Sequence, residues 1–250
     1  MARQQREKSS TGVYHVMLRG INRSDIFLED EDKVVFLNTL LLKKSKEEYV
    51  LHAYCLMDNH VHLLIQEKED DISRIMKRIG ITYVRYFNKK YQRIGPLFQD
   101  RYKSEKVEDD GYLLTVMRYI HNNPVAAGLV KKPRAYNWSS YNDYLVKTKT
   151  TSFVDTKLIL GMFGSKAEKA KEGFLEFMKQ KDQGRFLNDY TEEDELERGR
   201  KLWQKLLVKQ GEREKSLKKF REITGLSLRK LAIITGINKD KIAVLIKRIN

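Results

Sequence analysis

Tyr49-Val50-Leu51-His52-Ala53-Tyr54-Cys55-Leu56-Met57-Asp58-Asn59-His60-Val61-His62-Leu63-Leu64-Ile65 alternates strand formers about a short polar break. Residues 49–56 and 60–65 are rich in strand formers, and Met57-Asp58-Asn59 between them holds turn residues, so the stretch predicts a β-hairpin. Side chains alternate across a strand, which sends Val61, Leu63 and Ile65 to a buried face and leaves His60 and His62 together on the other, open one. Two imidazoles about 7 Å apart along a strand suit a divalent cation, and they equally suit histidines packed at a sheet surface; a metal centre wants a third protein group. A two-residue turn would pair Cys55 with His62, whereas a three-residue turn would bring Leu56 and Tyr54 there. The first arrangement leaves a Cys-His-His zinc site open. His15 and His52 read as sheet residues only.

Outward from the hairpin, strand and helix patterns alternate. Residues 13–18 predict a strand, and 30–46 a helix with Val34, Val35, Leu37, Leu41 and Leu42 on its apolar face. A helix at 71–91, a strand around 97–107 behind Gly95-Pro96, and a helix at 109–122 stopped by Pro124 complete the series. This order predicts an α+β fold, a ferredoxin-like antiparallel sheet with helices on one face. Residues 147–156 lack apolar periodicity and read as a linker, followed by short helices at 158–163 and 167–179. The acidic run 191–197 reads as a second break. Near the end, Leu228, Leu231 and Ala232 keep helical spacing, Thr235-Gly236-Ile237 interrupts it, and 239–248 resumes with Ile242, Leu245 and Ile246 inward. Two short helices joined by a glycine turn predict a helix-turn-helix within an all-α C-terminal region. The expected division is 1–146, 147–200 and 201–250.

Composition narrows the function. The 250 residues carry a net charge of +15 with 41% hydrophobic residues, which predicts a folded protein with a polyanionic partner rather than a disordered chain. The charge is uneven: residues 201–250 hold 14 Lys and Arg against 4 Asp and Glu, so the last fifth supplies +10 of it. A single cysteine excludes a disulfide framework and a four-cysteine zinc site. No apolar run approaches the roughly 18 residues of a membrane span, so the expectation is a cytoplasmic protein with no membrane partner.

A third polar group is available at Tyr119 and Asn123, four residues apart and therefore on one helical face. Read alone, Tyr119 also fits a half-buried helix aromatic and Asn123 a helix cap. A tyrosine hydroxyl is a poor nucleophile until a base or metal stands beside it.

Several blocks together carry a resemblance. Residues 57–64, Met-Asp-Asn-His-Val-His-Leu-Leu, resemble the histidine-hydrophobe-histidine motif of the single-tyrosine HUH transposases. Residues 118–130, from Arg118-Tyr119 through Asn123-Pro124 to Val130, resemble the tyrosine helix of the REP-associated branch of that family. Residues 95–104, Tyr14-His15-Val16 and Arg19-Gly20 fit the same branch, and the order holds over about residues 10–145. The resemblance implies a domain that cleaves and rejoins single-stranded DNA with hairpin structure. Tyr119 would be the nucleophile that forms a 5′-phosphotyrosine link, and His60 and His62 would hold Mg²⁺ or Mn²⁺. Asn123 falls where insertion-sequence relatives place a glutamine ligand, a departure in which the shorter amide or a water fills the position. A monomer or homodimer is compatible with it. The alternative is a transposase-derived DNA-binding regulator without strand transfer, and a third reading is a nuclease that uses water.

The DNA-binding zone is read from cations near these motifs. Arg19, Arg23, Arg101 and Lys103 flank the site, and the helix at 71–91 adds Lys77, Arg78 and Arg85, with Lys90, Tyr83, Tyr86 and Tyr91 as further cation and stacking rings. Lys239 and Lys241 would face a groove of double-stranded DNA from the C-terminal helices.

Overall fold

The computed structural model describes residues 8–44, 49–145, 154–180, 192–210 and 212–247. The expected linker at 147–156 lies mostly outside them. The chain divides into two compact units, Met1–Asn122 with Asn137–Asn188, and Asn123–Tyr136 with Asp189–Asn250.

The first unit is built on a four-stranded antiparallel sheet. Its strands are β1 (Val13–Arg19), β2 (Tyr49–Met57), β3 (His60–Glu67) and β4 (Lys103–Lys106), in the spatial order β2-β3-β1-β4. Helix α1 (Asp30–Lys44) connects β1 to β2, α2 (Ile72–Lys90) connects β3 to β4, and α3 (Asp110–Ala126) follows. This order and all-antiparallel pairing are those of the expected ferredoxin-like plan. The hairpin turn has two residues, because Met57 pairs with His60 across Asp58-Asn59 and Cys55 with His62. Loop backbone braces it: Gly20 N donates to Asn59 O, and Ile26 N and Phe27 N both donate to Asp58 O. Lys33 Nζ adds a 2.9 Å ion pair to the Asp58 carboxylate. At Gly20 no side chain fits, since a Cβ would fall 2.0 Å from the Ser24 carbonyl.

Three local expectations need correction. In α1 the buried stripe is Asp32, Phe36 and Leu40, while Val34, Leu41 and Leu42 are exposed. The apolar residues run round most of this helix, so periodicity could not choose the face, and the ion pairs of Lys33 with Asp58 and Lys90 with Asp32 turn a polar side inward. Pro124 does not stop α3, which continues to Ala126 and ends at Gly128 in the left-handed conformation (φ 68°). A proline this near a helix end removes a single bond, and Ala127 N still reaches Asn123 O. Continuous burial of β1 and of β3 from His60 to Ile65 shows the third: both faces of the sheet are covered, so the histidine side is not open.

The remaining helices of the first unit are α4 (Lys157–Gly161) and α5 (Ala167–Lys179), the latter burying Ala170, Phe174 and Met178 at helical spacing. The second unit contains α6 (Glu192–Gln210), α7 (Arg213–Thr224), α8 (Leu228–Thr235) and α9 (Lys239–Lys247). The acidic run expected as a break is instead, from Glu192 on, the start of α6. Gly199 lets α6 approach α8, because a Cβ there would meet the Ile234 side chain at 2.4 Å. One core of Trp203, Leu206, Leu217, Phe220, Leu231 and Ile242 joins all four helices. The composition boundary at 200/201 therefore falls inside α6. Gly236, at φ 68°, makes the turn between α8 and α9.

Candidate active site

The site grows from the register of three strands. Antiparallel partners share a face, so Met17 opposite His62, Arg19 opposite His60 and His15 opposite Leu64 place β1 side chains beside the β3 histidines. His15, expected only to fill the sheet, belongs to the cluster: its Nε2 lies 2.9 Å from His62 Nδ1. His60 Nδ1 lies 2.6 Å from Asn59 Oδ1. The His60 and His62 rings stand nearly perpendicular with centroids 5.0 Å apart. Both Nδ1 atoms are thus engaged by neighbouring polar groups.

Tyr119 projects from α3 onto this cluster. Its ring meets His62 edge-on at 5.5 Å and His15 at 5.8 Å. It is half-buried, while His15, His60 and His62 are buried. Arg118, beside it, is fixed over the Phe177 ring at 4.4 Å and donates to Gln180 Oε1. Asn123 follows Tyr119 by one turn and is buried. Tyr112, two turns before, has its hydroxyl pKa pushed well up by burial and then by the Glu105 carboxylate.

Burial keeps His15 and His62 neutral. Burial lowers His62 far below the usual imidazole range, and His60, His15 and Arg19 add repulsion. Burial lowers His15 as well, against the opposing pull of Glu105, whose Oε2 is 3.9 Å from His15 Nδ1. A neutral imidazole is the form that binds metal. The donor set fits a cation that accepts nitrogen and oxygen together, such as Mn²⁺, more readily than an all-oxygen ion. Among the described residues no three of His, Cys, Asp or Glu are gathered for a metal. Cys55 does sit opposite His62, but its Sγ packs 3.7 Å from Met57 Sδ and burial pushes its thiol up, which suits a core residue better than a zinc ligand. His52 bonds Gln66 and the Asp155 carbonyl, away from the cluster.

The cation zone divides. Lys77, Arg85, Arg101 and Lys103 are exposed, Arg19 and Arg23 are half-buried near the hairpin turn, and Lys239 and Lys241 are exposed on α9. Arg78 is instead half-buried in an ion pair with Asp70. Lys90 is tied to Glu29, Glu31 and Asp32. Tyr83 is core, and Tyr86 and Tyr91 donate to the Asp32 carboxylate, so these rings hold α2 to α1 rather than await a base.

The chain is similar to known proteins over much of its first unit. Residues 8–123 match the family model described as "Transposase IS200 like". A curated Haemophilus influenzae protein, "Putative REP-associated tyrosine transposase", is 27% identical over 161 residues, covering 57% of this chain and 86% of its own length. A solved structure, "Structure of the REP associates tyrosine transposase bound to a REP hairpin", aligns with a TM-score of 0.49 at 16% identity, covering 62% of this chain and 94% of that one. No helix among the described residues is long and apolar enough to cross a membrane. Both histidines of the β3 pair and the α3 tyrosine lie inside the matched span, so it is residues 8–123 of this chain that are similar to an IS200-like transposase.

Proposed function

We propose that this chain is a transposase that cleaves and rejoins single-stranded DNA through a 5′-phosphotyrosine intermediate. The observation that carries the reading is the Tyr119 ring set edge-on against His62, whose ring in turn stands against His60. Tyr119 Oη attacks a phosphodiester phosphorus; the new O–P bond forms as the bond to the 3′ oxygen breaks, and that oxygen leaves with a proton as a free hydroxyl. The reverse step, with another 3′ hydroxyl, joins strands without ATP. His60 and His62 would hold Mg²⁺ or Mn²⁺, with Asn123 as an oxygen ligand. When bound, the cation supplies positive charge to the phosphate oxygens. Asn59 and His15 orient the two imidazoles, and Arg19 lies beside His60 in register to meet phosphate. Of the cations named for DNA, Arg23, Lys77, Arg85, Arg101 and Lys103 serve the single strand, whose folded hairpins are the expected substrate; Arg78 serves Asp70 instead. Helices α8 and α9 form a helix-turn-helix that presents Lys239 and Lys241 to double-stranded DNA.

Incubating the protein with single-stranded DNA and Mn²⁺, then separating under denaturing conditions, tests this. The wild type should give a covalent protein–DNA adduct and Tyr119→Phe none, with stability changed by no more than about 1–2 kcal/mol. An adduct that persists in Tyr119→Phe would refute the assignment. Cleavage with no adduct would make water the nucleophile, and DNA binding without cleavage would leave a regulator.

A further inference from the structure

A cleft of about 380 Å³ opens between α2 and the segment leading into β4, with Lys77, Gly80 and Ile81 on one wall and Phe98, Arg101 and Tyr102 on the other. That volume lies in the range of small-ligand sites. Two features separate it from a surface crease. Gly80 sits inside a helix, where glycine costs about 1 kcal/mol relative to alanine, yet a Cβ there would meet nothing within 4 Å. No packing neighbour demands the glycine. What its absent side chain provides is space in the cleft.

The second feature is the distribution of charge. Arg74, at the same end of α2, is held by Asp70 and Asp71, whereas Lys77 and Arg101 are exposed and make no ion pair among the described residues. Two unpaired cations at the rim of an apolar cleft that contains a half-buried phenylalanine match a single-stranded nucleic acid, whose phosphates and base faces need those two kinds of group side by side. The cleft also leads toward the histidines. A smaller cavity shares Asp100 and Tyr102 with it and is lined further by Met17 and Arg19, the register partners of His62 and His60.

We propose that this cleft takes one unstacked nucleobase of the strand that runs to the Tyr119 site. The base lies against Phe98 and Ile81, Lys77 and Arg101 meet the phosphates on either side, and Asp100 accepts from an N–H on the base edge. The proposal rests on the single-stranded DNA reading above and adds a base-binding subsite to it.

The test compares full-length wild type, Gly80→Leu and Gly80→Ala in fluorescence anisotropy. The probes are a labelled mixed-sequence single-stranded 20-mer and a 20-mer of the same backbone made of abasic residues. Leucine fills the cleft while improving helix propensity, and alanine gives the same backbone change with the cleft open. Gly80→Leu should bind the base-containing strand about tenfold more weakly, within the worth of one stacked base, and bind the abasic strand as the wild type does. Gly80→Ala should match the wild type on both. Equal affinity of Gly80→Leu and wild type for the base-containing strand overturns the subsite while leaving the Tyr119 mechanism intact, as does an equal loss on both probes. A wild type that binds neither probe overturns the single-strand reading along with it.

Discussion

His15→Leu separates the orienting role of His15 from its packing role. The substitution keeps a buried side chain of similar size and deletes the 2.9 Å bond to His62. Losing that bond costs about 0.5–1.5 kcal/mol, and leaving His62 Nδ1 buried and unpaired adds about 1–3. Against this, His15 Nδ1 is itself buried without a hydrogen-bond partner, so its removal returns a similar amount. Net stability should fall by about 0–2 kcal/mol, readable in urea denaturation. Metal affinity should respond far more: losing the partner that fixes a ligating imidazole typically costs ten- to a hundredfold. Calorimetric titration with Mn²⁺ should show that drop at a temperature where the variant remains folded. Unchanged Mn²⁺ affinity in a folded variant would refute the reasoning that His15 orients His62.

Two further outcomes follow from the structure. Burial holds His121 down to about 3, so between there and the ordinary 6.5 the unfolded chain binds the extra proton and stability falls as pH drops through 6.5 toward 3. The slope is at most about 1.4 kcal/mol per pH unit for this group, His15 and His62 add the same sign, and His121→Gln should flatten the urea midpoint against pH; an equally steep profile would exclude His121 as a source. Replacing Lys239 and Lys241 together by glutamine should make the salt dependence of double-stranded DNA binding shallower by about two in log–log slope, and an unchanged slope would remove α9 from the DNA surface.

Period-two alternation in 60–65 and turn residues at 58–59 made the hairpin readable, and with it the side-by-side placement of His60 and His62. The topology was readable too, because helix and strand patterns alternate without long gaps. What the sequence could not show was set by tertiary partners. His15 is one residue among strand formers, and its role depends on a cross-strand register that no local pattern encodes. The stacking rings assigned to α2 were indistinguishable from core aromatics, since Asp32, which claims Tyr86 and Tyr91, is more than fifty residues away in the chain. Burial of the histidine face depends on α3 lying across it, so His60→Ala with His62→Ala should lower stability as well as abolish cleavage, because it empties buried volume and orphans His15 Nε2.

The braced hairpin turn bears on how the domain comes to exist. Two-residue hairpin turns normally need a positive φ to match strand twist, yet neither Asp58 nor Asn59 has one. The turn is closed from outside, by amides of Gly20, Ile26 and Phe27 that lie more than thirty residues earlier. Backbone contacts from outside the hairpin therefore hold its turn, and each of them closes a loop of about thirty residues or more. The paired imidazoles lie on one strand, but the groups that fix them come from β1, the turn and α3, so the turn contacts and the site share the same distant stretch of chain around β1.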